Sequence, residues 1–154
     1  MNTKIIIPFR LREGADPRRA ANLEVVLAWW YTHGFEPQIQ SDGLSGDAQF
    51  NRHRAYNAAV ERFPETTTFV FAEADMLIHP RQIIEAVGMA QDKPGLVVPF
   101  TQYRYLSDAG TASIRDACHD LDAMRISTWW GRGVNERDSL WDFPVESTMD
   151  GGRS

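Results

Sequence analysis

Apolar runs alternate with amphipathic stretches along the first two thirds of the chain. Lys4-Ile5-Ile6-Ile7-Pro8-Phe9 is β-branched and apolar on both faces, the pattern of a parallel strand covered on each side, and Pro8 marks its end. Residues 10–17 are polar and carry Gly14 and Asp16, which predicts a loop. Over 18–31, Leu23, Val26, Leu27 and Trp30 fall at i, i+3, i+4 and i+7, predicting an amphipathic helix closed by His33-Gly34. A short strand is expected over 35–40, followed by a turn at Ser41-Asp42-Gly43 and a loop of small polar residues through Asp47. A second helical stripe of Tyr56, Ala59, Val60 and Phe63 spans 51–63 and stops at Pro64. The apolar run 67–72 is a third strand. His79-Pro80 opens another helix, with Ile83, Ile84 and Val87 on its buried side, and Gly95-Leu96-Val97-Val98-Pro99-Phe100 is a fourth apolar strand.

Such alternation predicts an α/β domain of three-layer α/β/α architecture with a mostly parallel sheet. Ligands bind such sheets outside the carboxyl ends of the strands. Arg10, Asp42, Glu73 and Asp75 all follow strands, so they are placed to converge on one edge. Beyond Phe100 the pattern weakens. Ile114, Cys118, Leu121 and Met124 predict a helix over 113–125 with Asp116, His119, Asp120 and Asp122 on its polar face, and Trp129-Trp130-Gly131-Arg132-Gly133 follows. Residues 147–154 are polar with two glycines and read as a flexible tail. No internal repeat or linker divides the chain.

Composition narrows the function classes. The 154 residues suit one domain, and 43% hydrophobic with 24% charged residues is the balance of a soluble globular protein. A net charge of −5 argues against direct nucleic-acid binding, which needs clustered Lys and Arg. Cys118 has no second cysteine for a disulfide or thiolate metal site. The apolar run before Pro8 is too short for a signal segment or a membrane span, so a cytoplasmic location is expected.

The stretch with most chemistry is Thr67-Thr68-Phe69-Val70-Phe71-Ala72-Glu73-Ala74-Asp75-Met76, in which a strand delivers two carboxylates to its C-terminal end. Mg²⁺ and Mn²⁺ take oxygen ligands and usually bind through one or two protein carboxylates, with substrate phosphates and water completing the shell. The alternative is an acidic turn in solvent. Ahead of this pair come Pro8-Phe9-Arg10, Ser41-Asp42-Gly43 and the basic helix start Asn51-Arg52-His53-Arg54-Ala55-Tyr56-Asn57. Cations at a helix start oppose the helix dipole, a conflict that a bound anion removes.

As an ordered series over residues 3–105, these pieces resemble the donor-binding half of GT-A fold glycosyltransferases. The likeness is to family 2 and its polysaccharide-polymerase and polypeptide N-acetylgalactosaminyltransferase relatives. The resemblance implies a nucleotide diphosphate sugar donor, UDP-linked, and a Mn²⁺ or Mg²⁺ ion on Asp75. Glu73 stands where the family has its first Asp, and would face the ribose or a metal-bound water, with Ala74 between them in the nucleotide contact. Asp42 matches the aspartate that accepts from a base N3–H, an Asx-turn being its other use. Pro8 and Phe9 would line the base pocket and Arg10 would lie near the base or diphosphate. Arg54 and Asn57 share a helix face and would meet the nucleotide, with Arg52 able to serve instead. His79 is read as a helix cap.

The resemblance thins towards the C-terminus, which is short. Gly133-Val134-Asn135-Glu136-Arg137 looks like the family's Gly-Phe-Asp-Glu-Arg piece, leaving Glu136 or Asp138 as the catalytic base, or Asp142 in its place. Trp129, Trp130 and Trp141 would pack the sheet's lower edge or stack on an acceptor sugar, core packing being the commoner use of such residues. The favoured function is a minimal glycosyltransferase, with an acceptor on a sugar, lipid or protein and room for a homo-oligomer. The second is a nucleotide-sugar-binding module without transferase activity. A nucleotidyltransferase fits less well, because no Gly-rich, Lys-bearing phosphate loop follows the first strand. Residues 1–105 would form the donor half and 106–146 a reduced acceptor side.

Overall fold

A computed structural model describes residues 2–100, 102–117 and 145–150. The element order is β1 (Thr3–Pro8), α1 (Arg18–Thr32), β2 (Gln38–Gln40), α2 (Arg52–Arg62), β3 (Thr68–Phe71), α3 (Pro80–Asp92), β4 (Gln102–Leu106), α4 (Asp108–Ala117) and β5 (Val145–Asp150). The chain is α/β and falls into two compact units, Met1–Pro99 and Phe100–Ser154.

The first unit is built on a parallel three-stranded sheet of order β2-β1-β3. Ile6 pairs with Gln38 on one side and Phe71 on the other, so β1 is the central strand. Ile5, Ile6, Ile7 and Pro8 are buried in succession, and since neighbouring residues of a strand point to opposite faces, both faces of β1 are covered. The β-branched run that predicted this strand is thus the centre of the core.

The apolar arc of α1 is wider than the predicted stripe. Leu23, Val25, Val26, Trp29 and Trp30 are buried, whereas Leu27 is half-buried. The Trp29 indole N–H donates to the Ile78 carbonyl at 3.1 Å, tying α1 to the chain that follows β3. The helix closes as expected: Gly34 has φ of 79°, and the amides of Gly34 and Phe35 donate to the carbonyls of Tyr31 and Trp30, a Schellman ending that satisfies two terminal carbonyls.

Three expectations are corrected. In α2 the buried residues are Ala55 and Ala59, while Val60 is exposed, because small residues let the helix sit close to the sheet. In α3 only Ile83 is fully buried, and Ile84 faces solvent. Residues 95–100 form no strand: Leu96 is 94% exposed and Val98 61%. Pro94 and Pro99 flank the run and supply no ladder N–H, and Gly95 adds no side chain to pack.

The second unit holds an antiparallel pair, β4 with β5, with a register shift between Tyr105 and Leu106. Its helix α4, Asp108–Ala117, begins ahead of the expected 113 and is anchored by Ile114, and the rest of the expected span, 118–125, lies outside the described residues. β5 includes Ser147 to Asp150, residues expected in a flexible tail. No helix among the described residues is long and apolar enough to cross a membrane.

Candidate functional site at the carboxyl edge of the parallel sheet

In the order β2-β1-β3 the chain leaves β1 for one neighbour and later arrives at the other, so the topology reverses between β1 and β3. Ligand crevices of open parallel sheets lie at such switch points, outside the carboxyl ends of the strands. Here those ends are Pro8-Phe9 and Ala72-Glu73.

Glu73 leaves β3 half-buried, and Arg52, the first residue of α2, reaches its Oε1 at 3.1 Å. Burial pushes the Glu73 carboxyl above its usual range. Arg52 opposes that shift and the negative charge of Asp75 adds to it. Asp75 is exposed and forms no salt bridge among the described residues. Tyr56 lies one helical turn beyond Arg52, and its ring packs on Phe71 at 4.3 Å between centroids. Burial raises the Tyr56 hydroxyl, the Glu73 charge raises it further, and Arg52 lowers it. The site is thus a cation, a phenol and two unequal carboxylates.

Tyr56 is the participant that the sequence pattern hides. It belongs to the α2 stripe and reads as core, and the only available signal is its i+4 spacing from Arg52.

The structure also brings Arg10 and Asp42 together, but as each other's partner. Arg10 Nε donates to Asp42 Oδ1 at 2.7 Å and Nη2 to Oδ2 at 3.4 Å. Oδ1 also accepts from the Leu44 amide at 3.2 Å and Oδ2 from the Asn51 amide at 2.8 Å. All four acceptor positions of a carboxylate are then used, and the Asp42 side chain has no exposed surface. Its carboxyl is held down to about 2, chiefly by the Arg10 hydrogen bonds, which prevail over burial, with the Asn51 and Leu44 amides assisting. Acceptance from a base N3–H, the role expected of Asp42, has no lone pair left in this arrangement. The Leu44 bond is the Asx-turn alternative.

Arg10 is likewise committed. Its Nη1 and Nη2 donate to the Gly46 and Ala48 carbonyls at 3.2 and 2.7 Å. The pair therefore fixes the loop after β2 to the end of β1.

The other candidates are dispersed. Pro8 is buried in the sheet, and Phe9 is half-buried with its amide donating to the Gln40 carbonyl at 3.0 Å. Ala74 is half-buried between the two acids. Arg54 and Asn57 are exposed, and the Arg54 guanidinium lies over Gly43 rather than beside Glu73. Asn51 caps α2 by accepting from the Arg54 amide at 3.1 Å. His79 caps α3 through Nδ1, which accepts from the Arg81 amide at 3.0 Å. Glu136 and Asp138 lie outside the described residues, as do Cys118, Asp142 and the tryptophans 129, 130 and 141.

Among the described residues no group of three or more His, Cys, Asp or Glu side chains is placed to hold a metal ion. A divalent cation at Glu73 and Asp75 would draw its remaining ligands from phosphate oxygens and water, the usual habit of Mg²⁺. A half-buried and an exposed carboxylate two residues apart, with one cation nearby, supply the oxygen donors that use requires. No family model, curated protein or solved structure matches this chain.

Proposed function

We propose that the first unit binds a nucleotide diphosphate sugar with Mn²⁺ or Mg²⁺ at the β1/β3 edge, in a GT-A-like arrangement, and that the protein transfers the sugar to an acceptor hydroxyl. The observation that carries this reading is the pairing of Arg52 with Glu73 beside an Asp75 that forms no salt bridge among the described residues, at the β1/β3 switch point, the kind of edge at which open parallel sheets bind ligands.

Asp75 is the principal ligand in this reading, and Glu73 holds the same ion or one of its waters. When bound, the cation supplies Lewis-acid stabilisation of charge developing on the leaving diphosphate. Arg52 adds a second positive charge on the diphosphate side. Tyr56, packed on Phe71, offers an aromatic edge and a hydroxyl to the ribose or sugar. Glu136 or Asp138 takes the proton from the acceptor hydroxyl as general base. With Asp42 occupied by Arg10, the base is met at Phe9, and the uridine form is the first donor to test.

The test is a thermal-shift screen of UDP, GDP and TDP sugars with and without Mn²⁺, repeated on Asp75→Ala. A ligand at about a hundred times its Kd adds about 2.7 kcal/mol to stability. A metal-dependent rise in Tm, lost in Asp75→Ala, is expected. Absence of any metal-dependent shift with every donor overturns the reading. Metal-dependent affinity without sugar transfer or slow donor hydrolysis would identify a binding module instead.

A further inference from the structure

Arg12, Arg19, Asp47, Gln49 and Phe50 line an open cleft of about 340 Å³ between the loops that follow β1 and β2. That volume lies in the range of small-molecule sites. Its walls are held in place by neighbouring bonds. Arg10 grips the Gly46 and Ala48 carbonyls from one side, and the Glu13 amide donates to the Gly46 carbonyl at 3.3 Å from the other.

Two cations line this cleft, and among the described residues neither has a side-chain partner. Arg12 buries its Nε with no hydrogen-bond acceptor, and neither Arg12 nor Arg19 forms a salt bridge among the described residues, although Asp47 lines the same cleft. A buried guanidinium N–H left without an acceptor is costly. Arg19 stands in the first turn of α1, which holds no acidic residue, so its charge opposes the helix dipole. The backbone there is already used: the Arg18 amide donates to Asp16 Oδ1 and the Arg19 amide to the Asp16 carbonyl. Any anion is therefore met by side chains, in a place where two cations converge.

We propose that this cleft binds an oxyanion, a phosphate or carboxylate group carried by a small molecule, through Arg12 and Arg19. Guanidinium forks match both groups in bidentate geometry. Gln49 offers an amide donor, Phe50 packs against the body of the molecule, and Asp47 accepts from a hydroxyl or amine on it. The site uses neither Arg52, Glu73 nor Asp75, and stands apart from the metal-dependent donor reading.

Inorganic phosphate and, separately, acetate would be titrated into the ¹⁵N-labelled full chain without divalent metal, at ionic strength held constant with chloride. Saturable shifts of the Gln49 and Phe50 amides are expected with at least one of the two. Phosphate-only saturation identifies a phosphate-bearing ligand, and acetate-only saturation a carboxylate-bearing one. Arg12→Gln and Arg19→Gln should each weaken that binding about tenfold, equivalent to about 1.4 kcal/mol, while Arg81→Gln on α3 leaves it unchanged. Arg19 is exposed, so its variant keeps the test open should Arg12→Gln disturb the fold. No saturable shift with either anion, or full affinity in the double arginine variant, overturns the proposal.

Discussion

Asp42 shows how much one buried charge can organise. Its carboxylate receives two bonds from Arg10 and one each from the Leu44 and Asn51 amides, joining the end of β1, the loop after β2 and the start of α2. Asp42→Ala leaves the Arg10 guanidinium, only 10% exposed at its side chain, without its counter-charge. Removing one partner of such a pair costs about 3 to 5 kcal/mol, a loss to be read from urea unfolding. The pH dependence has a fixed sign. A carboxyl depressed to about 2 in the folded chain, from 3.8, contributes stability that is present above pH 4 and is lost as pH falls towards 2. Glu73 behaves in the opposite way. Its carboxyl is raised, so ionisation is resisted by the fold, and the pair with the exposed Arg52 returns little. Glu73→Gln is therefore expected to leave ligand-free stability within about 0.5 kcal/mol of the parent or slightly above it, with metal-dependent donor binding lost. A destabilisation of several kcal/mol would mark Glu73 as structural. The sequence pattern placed both acids after strands but could not separate them, because the difference lies in which donors fold back onto each.

At the scale of elements, local signals were legible where they were self-contained. The Ile5-Ile6-Ile7 run, the Gly34 ending of α1 and the Pro64 stop after α2 need only their neighbours in sequence. The Asn51 cap, which the structure adds, is equally local, and Asn51→Ala should cost about 1 kcal/mol in urea unfolding by freeing the Arg54 amide. What failed was the inference from apolar content to partnership. Leu96-Val97-Val98 has the composition of a core strand, yet Leu96 and Val98 face solvent, and the prolines on either side remove ladder donors. Leu96→Lys is accordingly expected to change stability by no more than about 0.5 kcal/mol. A loss near that of a core leucine, about 2 to 5 kcal/mol, would show that this run is buried in solution. The α2 stripe misled for a related reason. Tyr56 at a stripe position meets Phe71 with its ring while its hydroxyl lies in the electrostatic field of Glu73 and Arg52, so one residue serves both packing and site.

For the whole molecule, periodicity predicted a mostly parallel sheet of four strands, whereas among the described residues three strands form the parallel sheet and β4 pairs antiparallel with β5. The pairing of β4 with β5 joins segments far apart in sequence, and the polar Val145–Asp150 run carries no local sign of its partner. Contacts of that range are set by tertiary competition rather than by period. The division has a functional consequence. Arg10, Asp42, Arg52, Tyr56, Glu73 and Asp75 all belong to Met1–Pro99, as do the Arg12 and Arg19 cleft and the whole parallel sheet. A chain ending at Pro99 is therefore expected to unfold in one cooperative urea transition and to keep metal-dependent donor affinity within about threefold of the full chain, since about 0.7 kcal/mol is the most that remote residues should add. On the proposed reading, sugar transfer vanishes from it, because the proposed bases Glu136 and Asp138 are removed. Loss of the metal-dependent shift on truncation, with cooperative unfolding retained, would place part of the binding site beyond residue 99.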